Sequence, residues 1–265
     1  MSTVLYERRG AVAVLTINRP QAMNAYDASA VEAMGRYFAE FDQDPDLRVA
    51  ILTGAGEKAF CTGADLKSLH GAAFGGGAAE LWDDQRQYRL GQRINPRKPV
   101  IGAINGYCLA GAFELALACD VTVAGEGTKF GEPEVRFGSG IVAMLLPWVT
   151  GPKQAKELLL TGDDKLTAAR MLEIGVVNRV VPDGEVLDSA LALARAFASA
   201  APDSVRMTKR AINRTYEIMG LRQALLASLE TDILIEADEN PDRAEFNRIR
   251  NEQGLAAALA WRNSR

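Results

Sequence analysis

The sequence contains few of the residues that build metal sites, disulfide frameworks and serine or cysteine catalytic centres. Three cysteines and one histidine occur in 265 residues. This set is too small for a zinc site or a disulfide framework, so we expect a metal-free protein in the reducing cytoplasm. A histidine-dependent mechanism would have to use His70, and the sequence around it gives no support for that role. We interpret His70 as a loop or surface histidine.

Signals for nucleotide binding, nucleic-acid binding and export are also missing. No GxGxxG or Walker-type loop occurs, and the glycine-rich stretch AFGGGAAE at 73–80 follows no predicted strand, so we interpret it as a surface loop. The formal net charge of −4 gives no reason to expect nucleic acid or an anionic membrane as a partner. The N-terminal segment lacks the apolar core that a secretory signal needs.

Charge is almost missing from one stretch, residues 100–119, where Glu114 is the only formal charge. About 20 apolar residues are enough to cross a bilayer. The Asn105-Gly106 pair, however, favours a turn that divides the stretch, and an unpaired carboxylate in mid-membrane is costly. The pattern therefore predicts a buried strand, a tight turn and a helix of small residues that carries a glutamate.

Strand and helix patterns alternate over most of the chain. Two strands are predicted within 3–18, a helix begins near Asp27, and further strands occupy 49–54 and 121–125. This order predicts a layered α/β architecture. Beyond Pro202 only helices are predicted.

One of the predicted C-terminal helices has a strongly apolar face, which could close the core or pack on another subunit. The side chains placed on that face are Leu225, Leu226, Leu229, Ile233 and Leu234.

Three segments, taken together and in this order, resemble the crotonase family of enoyl-CoA hydratases and isomerases. They are AFCTGADLKSL at 59–69, NGYCLAGAFELALACD at 105–120 and FGEPE at 130–134. The resemblance continues through VAVLTINRPQAMNA at 12–25 and the segment 158–181, and it covers nearly the whole chain.

The family resemblance implies an α/β fold, a crotonase-like spiral of ββα units with a C-terminal helical assembly region. Residues 1–195 are expected to form the core with the active site, and residues 196–265 a helical region used for oligomerisation. Members of the family form trimers, often paired into hexamers, and the apolar helix face described above agrees with such an assembly.

The site must stabilise negative charge. Chemistry beside a thioester carbonyl builds that charge on the carbonyl oxygen, and two backbone N–H groups can hold it. Backbone donors are usable only where side chains leave room, as at Ala110-Gly111-Ala112, where the predicted helix begins. The resemblance implies that the donors are the N–H groups of Ala64 and Gly111. Close packing of the helix on a strand is the alternative explanation for these small residues.

Two glutamates are candidates for the acid and the base. Glu114 follows Gly111 by three residues, which places it on about the same helix face, one turn deeper. By resemblance the catalytic acid is Glu134, while Glu132 could face the same way and is interpreted as a rim charge. Two carboxylates in one small pocket do not both ionise easily. By resemblance Glu114 deprotonates the attacking water and Glu134 protonates Cα; a buried, hydrogen-bonded acid is the alternative for Glu114.

The resemblance implies that coenzyme A enters as part of the substrate and that no separate cofactor is needed. The backbone of Ala64, Asp65, Leu66 and Lys67 is expected to contact the adenine side, and Gly111 completes the predicted substrate contacts. For the Lys67 side chain, a phosphate contact and a solvated position are both open.

The segment after FGEPE departs from the glycine-rich loop of many hydratases. It is shorter and carries bulky residues such as Met144 and Trp148, while Gly138 and Gly140 stand in for part of the loop. In the family this loop shapes the acyl pocket. We therefore expect an acyl pocket unlike that of a short-chain hydratase.

Family members that hold both acids tend to be hydratases, so the resemblance predicts an enoyl-CoA hydratase. A Δ3-Δ2-enoyl-CoA isomerase or an acyl-CoA decarboxylase of the same fold stays open, because the GAFE variant of the second motif is compatible with a decarboxylase. A non-catalytic acyl-CoA binder is the alternative from another class. The presence of Ala64, Gly111, Glu114 and Glu134 argues against it.

Overall fold

The computed structural model describes residues 2–66, 96–140, 143–238 and 240–265. His70, Lys67 and the glycine-rich stretch at 73–80 lie outside these ranges. The strands are β1 (Val4–Arg9), β2 (Val12–Ile17), β3 (Val49–Gly54), β4 (Ala59–Cys61), β5 (Val100–Ile104), β6 (Tyr107–Leu109), β7 (Val121–Gly125), β8 (Lys129–Gly131), β9 (Leu166–Thr167) and β10 (Arg179–Val181). The helices are α1 (Ala28–Gln43), α2 (Gly111–Ala118), α3 (Leu146–Thr150), α4 (Pro152–Thr161), α5 (Ala168–Glu173), α6 (Val186–Ser199), α7 (Pro202–Ile218), α8 (Leu221–Ala237), α9 (Pro241–Gln253) and α10 (Leu255–Asn263).

The larger sheet has six strands in the order β1-β2-β3-β5-β7-β10. The β1–β2 pair is antiparallel and the other pairs are parallel. Both faces of its central strands are buried, as is usual for parallel sheets, and every residue of β3 is buried. Val14 and Ile51 are paired in register and pack with α6 on one face, whereas Leu15 faces the main core together with α1.

The smaller sheet has the order β4-β6-β8-β9, with β4, β6 and β8 parallel. The chain passes from the larger sheet to the smaller one through the predicted Asn105-Gly106 turn, which the structure confirms. Gly106 has a φ of +64°, and a Cβ atom there would overlap the carbonyl oxygen of Lys58. Only glycine fits this close approach of two backbones.

The C-terminal helices pack partly on the smaller sheet's side of the molecule. Phe246 of α9 stacks on Phe137 with ring centroids 4.7 Å apart, and Trp261 of α10 adjoins the same cluster. The single apolar face predicted for α8 is divided in the folded chain. Leu229 and Ile233 are buried there, whereas Leu226 is 45% exposed and Leu234 is 68% exposed. The predicted division at residue 195 falls inside α6 and stays a prediction.

A membrane-spanning role for the apolar stretch 100–119 is not supported by the structure. That stretch is β5, the turn, β6 and the short helix α2, as its sequence predicts. Within the described ranges, no helix combines the length and the hydrophobicity that a bilayer crossing needs.

Candidate active site

The three family-like segments meet at one edge of the smaller sheet. Because β4, β6 and β8 are parallel neighbours, their carboxyl ends lie side by side, and each segment's functional residues follow one of these ends. Leu109 pairs with Gly131 across β6 and β8, and the Ala110 N–H donates to the Gly131 carbonyl at 2.8 Å. Glu114 and Glu134 follow this junction on adjacent segments.

The turn after β4 lies directly against the start of α2. A Cβ atom on Gly63 would be 3.2 Å from the backbone nitrogen of Gly111. Tyr26 holds the turn through its backbone, accepting from the Asp65 N–H at 2.8 Å and donating to the Gly63 carbonyl at 2.9 Å. Across the described residues, no acceptor is found for the N–H of Ala64 or of Gly111. Both groups are therefore available to an anion, as the oxyanion prediction requires.

The start of α2 has an unusual backbone. Ala110 has φ +59° and ψ −133°, a left-handed conformation that costs a non-glycine residue about 1–3 kcal/mol. No side chain caps this helix end, so its first N–H groups and the helix dipole point toward the site. At Gly111 a Cβ atom would overlap the hydroxyl oxygen of Tyr26, which explains why glycine stands at this donor position.

Glu114 is buried inside the protein. Its side chain is 5% exposed, between the buried residues Phe113 and Leu115 of α2. One carboxylate oxygen accepts a hydrogen bond from the Leu145 N–H at 3.1 Å. This bond also links α2 to the segment that follows Glu134. It is compatible with Glu114 as a catalytic base and with Glu114 as a structural acid.

Glu134 begins a 3₁₀ turn, Glu134–Phe137. Its Oε2 atom is buried and accepts no hydrogen bond from any described residue. Burial, with smaller contributions from the carboxylates of Asp232 and Glu236, raises the pKa of Glu134 to about 8, although its own backbone N–H and Arg262 act in the opposite direction. A carboxyl group with this pKa keeps its proton at neutral pH and can act as a general acid.

Glu132 does not sit at the rim of the site, so that interpretation is wrong. Its side chain is 2% exposed, because it directly follows β8 and continues into the interior. Periodicity along a strand says which residues share a face, but it does not say whether that face is covered by a neighbouring element.

The segment NRPQAMNA supplies positioning residues that the sequence did not reveal. Arg19 donates to the Asp65 carboxylate at 2.7 Å and lies 3.3 Å from that of Asp27. Asn24 donates to the carbonyl of Ala59 at 2.7 Å and thereby holds β4. The predicted substrate residue Asp65 thus uses its side chain to anchor the turn. From the sequence, no role was predicted for Arg19 or Asn24. Their polar side chains within the family-like segment were the signal that could have pointed to one.

Gly138 and Gly140 make room for the C-terminal helices rather than for substrate alone. A Cβ atom on Gly138 would overlap the side chain of Asn240, and one on Gly140 would overlap that of Asp232. Further along, Met144 is buried, and Trp148 packs edge-on against Tyr216 of α7 with ring centroids 6.5 Å apart.

A family model described as enoyl-CoA hydratase/isomerase matches residues 7–240. The chain belongs to this family. The predicted crotonase family and crotonase fold are therefore confirmed. A crystal structure of an enoyl-CoA hydratase/isomerase from Xanthobacter autotrophicus Py2 superimposes with a TM-score of 0.95 at 43% identity, covering 99% of this chain and 98% of that one.

Curated relatives of this family member carry hydratase and dehydratase names. The short-chain-enoyl-CoA hydratase of Clostridium acetobutylicum is 36% identical over 81% of this chain and 82% of its own. The (E)-benzylidenesuccinyl-CoA hydratase of Thauera aromatica is 42% identical, with coverages of 76% and 78%. The carnitinyl-CoA dehydratase of Salmonella arizonae is 41% identical, with 82% of each chain covered.

Proposed function

We propose that this chain is an enoyl-CoA hydratase that adds water across the α,β double bond of a 2-enoyl-CoA thioester. The observation that carries the proposal is the pair of glutamates beyond adjacent strand ends. Glu134 has a pKa of about 8 and keeps a proton, and Glu114 is a buried, hydrogen-bonded acid beside the free N–H of Gly111. An acid, a base and two anion donors are what hydration needs.

In this mechanism the thioester oxygen accepts hydrogen bonds from the N–H groups of Ala64 and Gly111 as enolate charge develops. Glu114 takes a proton from the water while its oxygen attacks Cβ. Glu134 delivers its proton to Cα, so that OH and H have been added across the double bond. Glu114 then loses the proton that it gained and Glu134 regains one, directly or through solvent, which restores the starting state.

Coenzyme A enters as part of the substrate, and no further cofactor takes part. The backbone of Ala64, Asp65 and Leu66 contacts the adenine side of coenzyme A, and Lys67 continues that segment beyond the described residues. Supporting this placement, the Arg19–Asp65 ion pair and the Tyr26 backbone hold the turn in one conformation.

The active form is a homotrimer or a hexamer in the cytoplasm. Several large apolar side chains on the C-terminal helices are exposed to solvent. Monomeric soluble proteins rarely expose so many, so these side chains support self-association. They are Met207, Ile212, Ile218, Met219 and Leu234. Light scattering at micromolar protein concentration tests the assembly, and a monomer would contradict it.

The acyl group differs from that of crotonyl-CoA. Bulky Met144 and Trp148 in the shortened loop support this, as do relatives named for benzylidenesuccinyl-CoA and carnitinyl-CoA. The deciding experiment follows the loss of conjugated-thioester absorbance with a panel of linear, branched, aromatic and polar 2-enoyl-CoA thioesters, with product identification. Hydration is expected, fastest for a substrate other than crotonyl-CoA. Products showing only double-bond migration or carbon dioxide release would identify an isomerase or a decarboxylase instead.

A further inference from the structure

Side chains from the C-terminal helices form hydrogen bonds with residues 138–140, the loop that follows Glu134. Glu236 of α8 accepts a hydrogen bond from the Gly140 N–H at 2.7 Å and a closer one from the Ser139 hydroxyl. Arg243 of α9 donates to the Gly138 carbonyl at 3.0 Å and lies 3.3 Å from the second Glu236 oxygen. One ion pair therefore holds all three residues, 138–140.

This ion pair is buried and densely bonded. The side chains of Arg243 and Glu236 are 8% and 7% exposed, and Arg243 also donates to the carbonyls of Ile235 and Glu236, at 3.0 and 3.1 Å. Removing two charges from water is expensive, and well-packed apolar residues often stabilise a fold at least as well. The pair thus calls for an explanation other than stability.

The loop it grips follows Glu134 along the chain and leads toward Leu145, whose N–H contacts Glu114. At one end, the Ser139 N–H donates to the carbonyl of Glu134 at 3.1 Å, so the loop and the 3₁₀ turn move together. At the other end, Leu145 donates to the Glu114 carboxylate at 3.1 Å. A shift of the loop would therefore change the position of the acid and the hydrogen bond to the base.

We propose that Glu236 and Arg243 are positioning residues that hold the 138–140 loop, and through it Glu134 and Glu114, in their reactive arrangement. The inference rests on the proposed roles of those two glutamates. It adds residues from α8 and α9 to the machinery of the reaction, although neither touches the reacting atoms.

Electrostatics supports the same assignment. The charged side chains that act on the Glu134 carboxyl are Asp232 and Glu236 from α8 and Arg262 from α10. After burial, the carboxylates of Asp232 and Glu236 are the groups that raise the pKa of Glu134, and Arg262 lowers it. Removing the Glu236 charge should favour the ionised form of Glu134.

The test compares Glu236→Gln with Glu230→Gln in the full-length chain. Glutamine keeps an oxygen that can accept from Gly140 and Ser139 but removes the charge, so the alkaline limb of the kcat/KM profile should move down by about 0.5–1 pH unit. Glu230 lies on the same helix and is exposed, so its glutamine variant should leave the limb unchanged. KM should stay within about twofold in both, because the change affects proton transfer rather than binding.

A second variant separates loop positioning from charge. Arg243→Lys keeps the charge but replaces the planar two-nitrogen fork with a single, shorter-reaching nitrogen, so the bonds to the loop and to the end of α8 cannot all be kept, and kcat should fall roughly tenfold with little change in the melting temperature. A wild-type pH limb in Glu236→Gln together with a wild-type kcat in Arg243→Lys would overturn the proposal. A wild-type protein that hydrates no enoyl-CoA would instead overturn the proposed function, so the two failures are distinct.

Discussion

The two halves of the site are held in different ways. The proposed donors Ala64 and Gly111 depend on backbone geometry, with Tyr26 and Arg19 as neighbours from the N-terminal part of the chain. The proposed acid Glu134 precedes a loop held by charged side chains from helices about a hundred residues further on, such as Glu236. A backbone donor has no accessible pKa, whereas the strength of an acid depends on the charges around it. Substitutions that disturb the backbone donors should therefore lower the rate equally at every pH. Substitutions near Glu134 should instead change the pH dependence of the rate.

The largest effect is expected from the glutamates themselves. Glu134→Gln and Glu114→Gln should each lower kcat by roughly 10²–10⁴, because each removes a proton transfer made only in the transition state. Glu126→Gln, a change at an exposed glutamate, serves as the control and should retain full activity. Full turnover with a lower melting temperature in Glu114→Gln would identify Glu114 as a core residue and end the hydratase assignment.

A donor-side variant should show the next largest effect. Gly111→Ala places a methyl group on the Tyr26 hydroxyl, which displaces the N–H, so the rate should fall roughly 10²–10³-fold at every pH. Adding Tyr26→Phe removes the overlapping oxygen and should restore part of the rate.

Gly184→Ala is the matched control for this pair, since a Cβ atom there meets nothing within 4 Å. A pH-dependent loss in Gly111→Ala, or no recovery in the double variant, would contradict the division between the two halves.

A smaller loss of activity is expected from substitutions that act on the turn carrying Ala64 only through its neighbours. Arg19→Met removes the ion pair with Asp65, so the turn carrying Ala64 loosens, and kcat should fall roughly tenfold. Arg9→Met breaks an exposed pair with Glu7 and should leave kcat unchanged. Steady-state kinetics on both variants decides whether the N-terminal motif has a functional role.

The smallest expected effect is on the melting temperature, and it tests whether the pKa of Glu134 is raised in the folded protein. Because the folded-state pKa of Glu134 is about 8, above its ordinary value of 4.5, the folded state binds more protons than the unfolded state between these values. Stability is therefore lost as the pH rises from about 4.5 to 8. Glu134→Gln should remove this loss and raise the melting temperature by roughly 2–4 °C at pH 8.5, with no gain at pH 4.5. An equal change at both pH values would mean that Glu134 is not the group responsible.

Most strands of the larger sheet, the first helix and the turn at Asn105-Gly106 could be predicted because their signals are local. Asp27 caps α1 by accepting from the Ala30 N–H at 3.0 Å, as its type and position indicate. Short, continuous apolar runs predict β2 and β3, and the fold buries almost every residue of both strands. The family resemblance added the identity of the site residues, which no periodicity would have supplied.

The environment of Glu132 and of the α8 face could not be predicted in the same way. Burial of Glu132 depends on which elements cover the end of β8, and exposure of Leu234 depends on how α8 lies on its own chain. The burial of Glu132 and the exposure of Leu234 are both set by tertiary packing. The pattern of residues along a single strand or helix therefore does not predict them. The roles of Arg19 and Arg243 were missed for the same reason, because their partners lie far away in the sequence.

By itself the sequence determined the α/β layering, the glycines at the crowded backbone positions and the presence of two glutamates beside small residues. These features depend on steric and hydrogen-bonding preferences that act within a few residues. Only the tertiary structure decided that β4, β6 and β8 end side by side, and that the Oε2 atom of Glu134 is buried where the charges of Asp232, Glu236 and Arg262 act on it. Desolvation and charge–charge interaction act through space, so the raised pKa of Glu134 arises only in the folded chain.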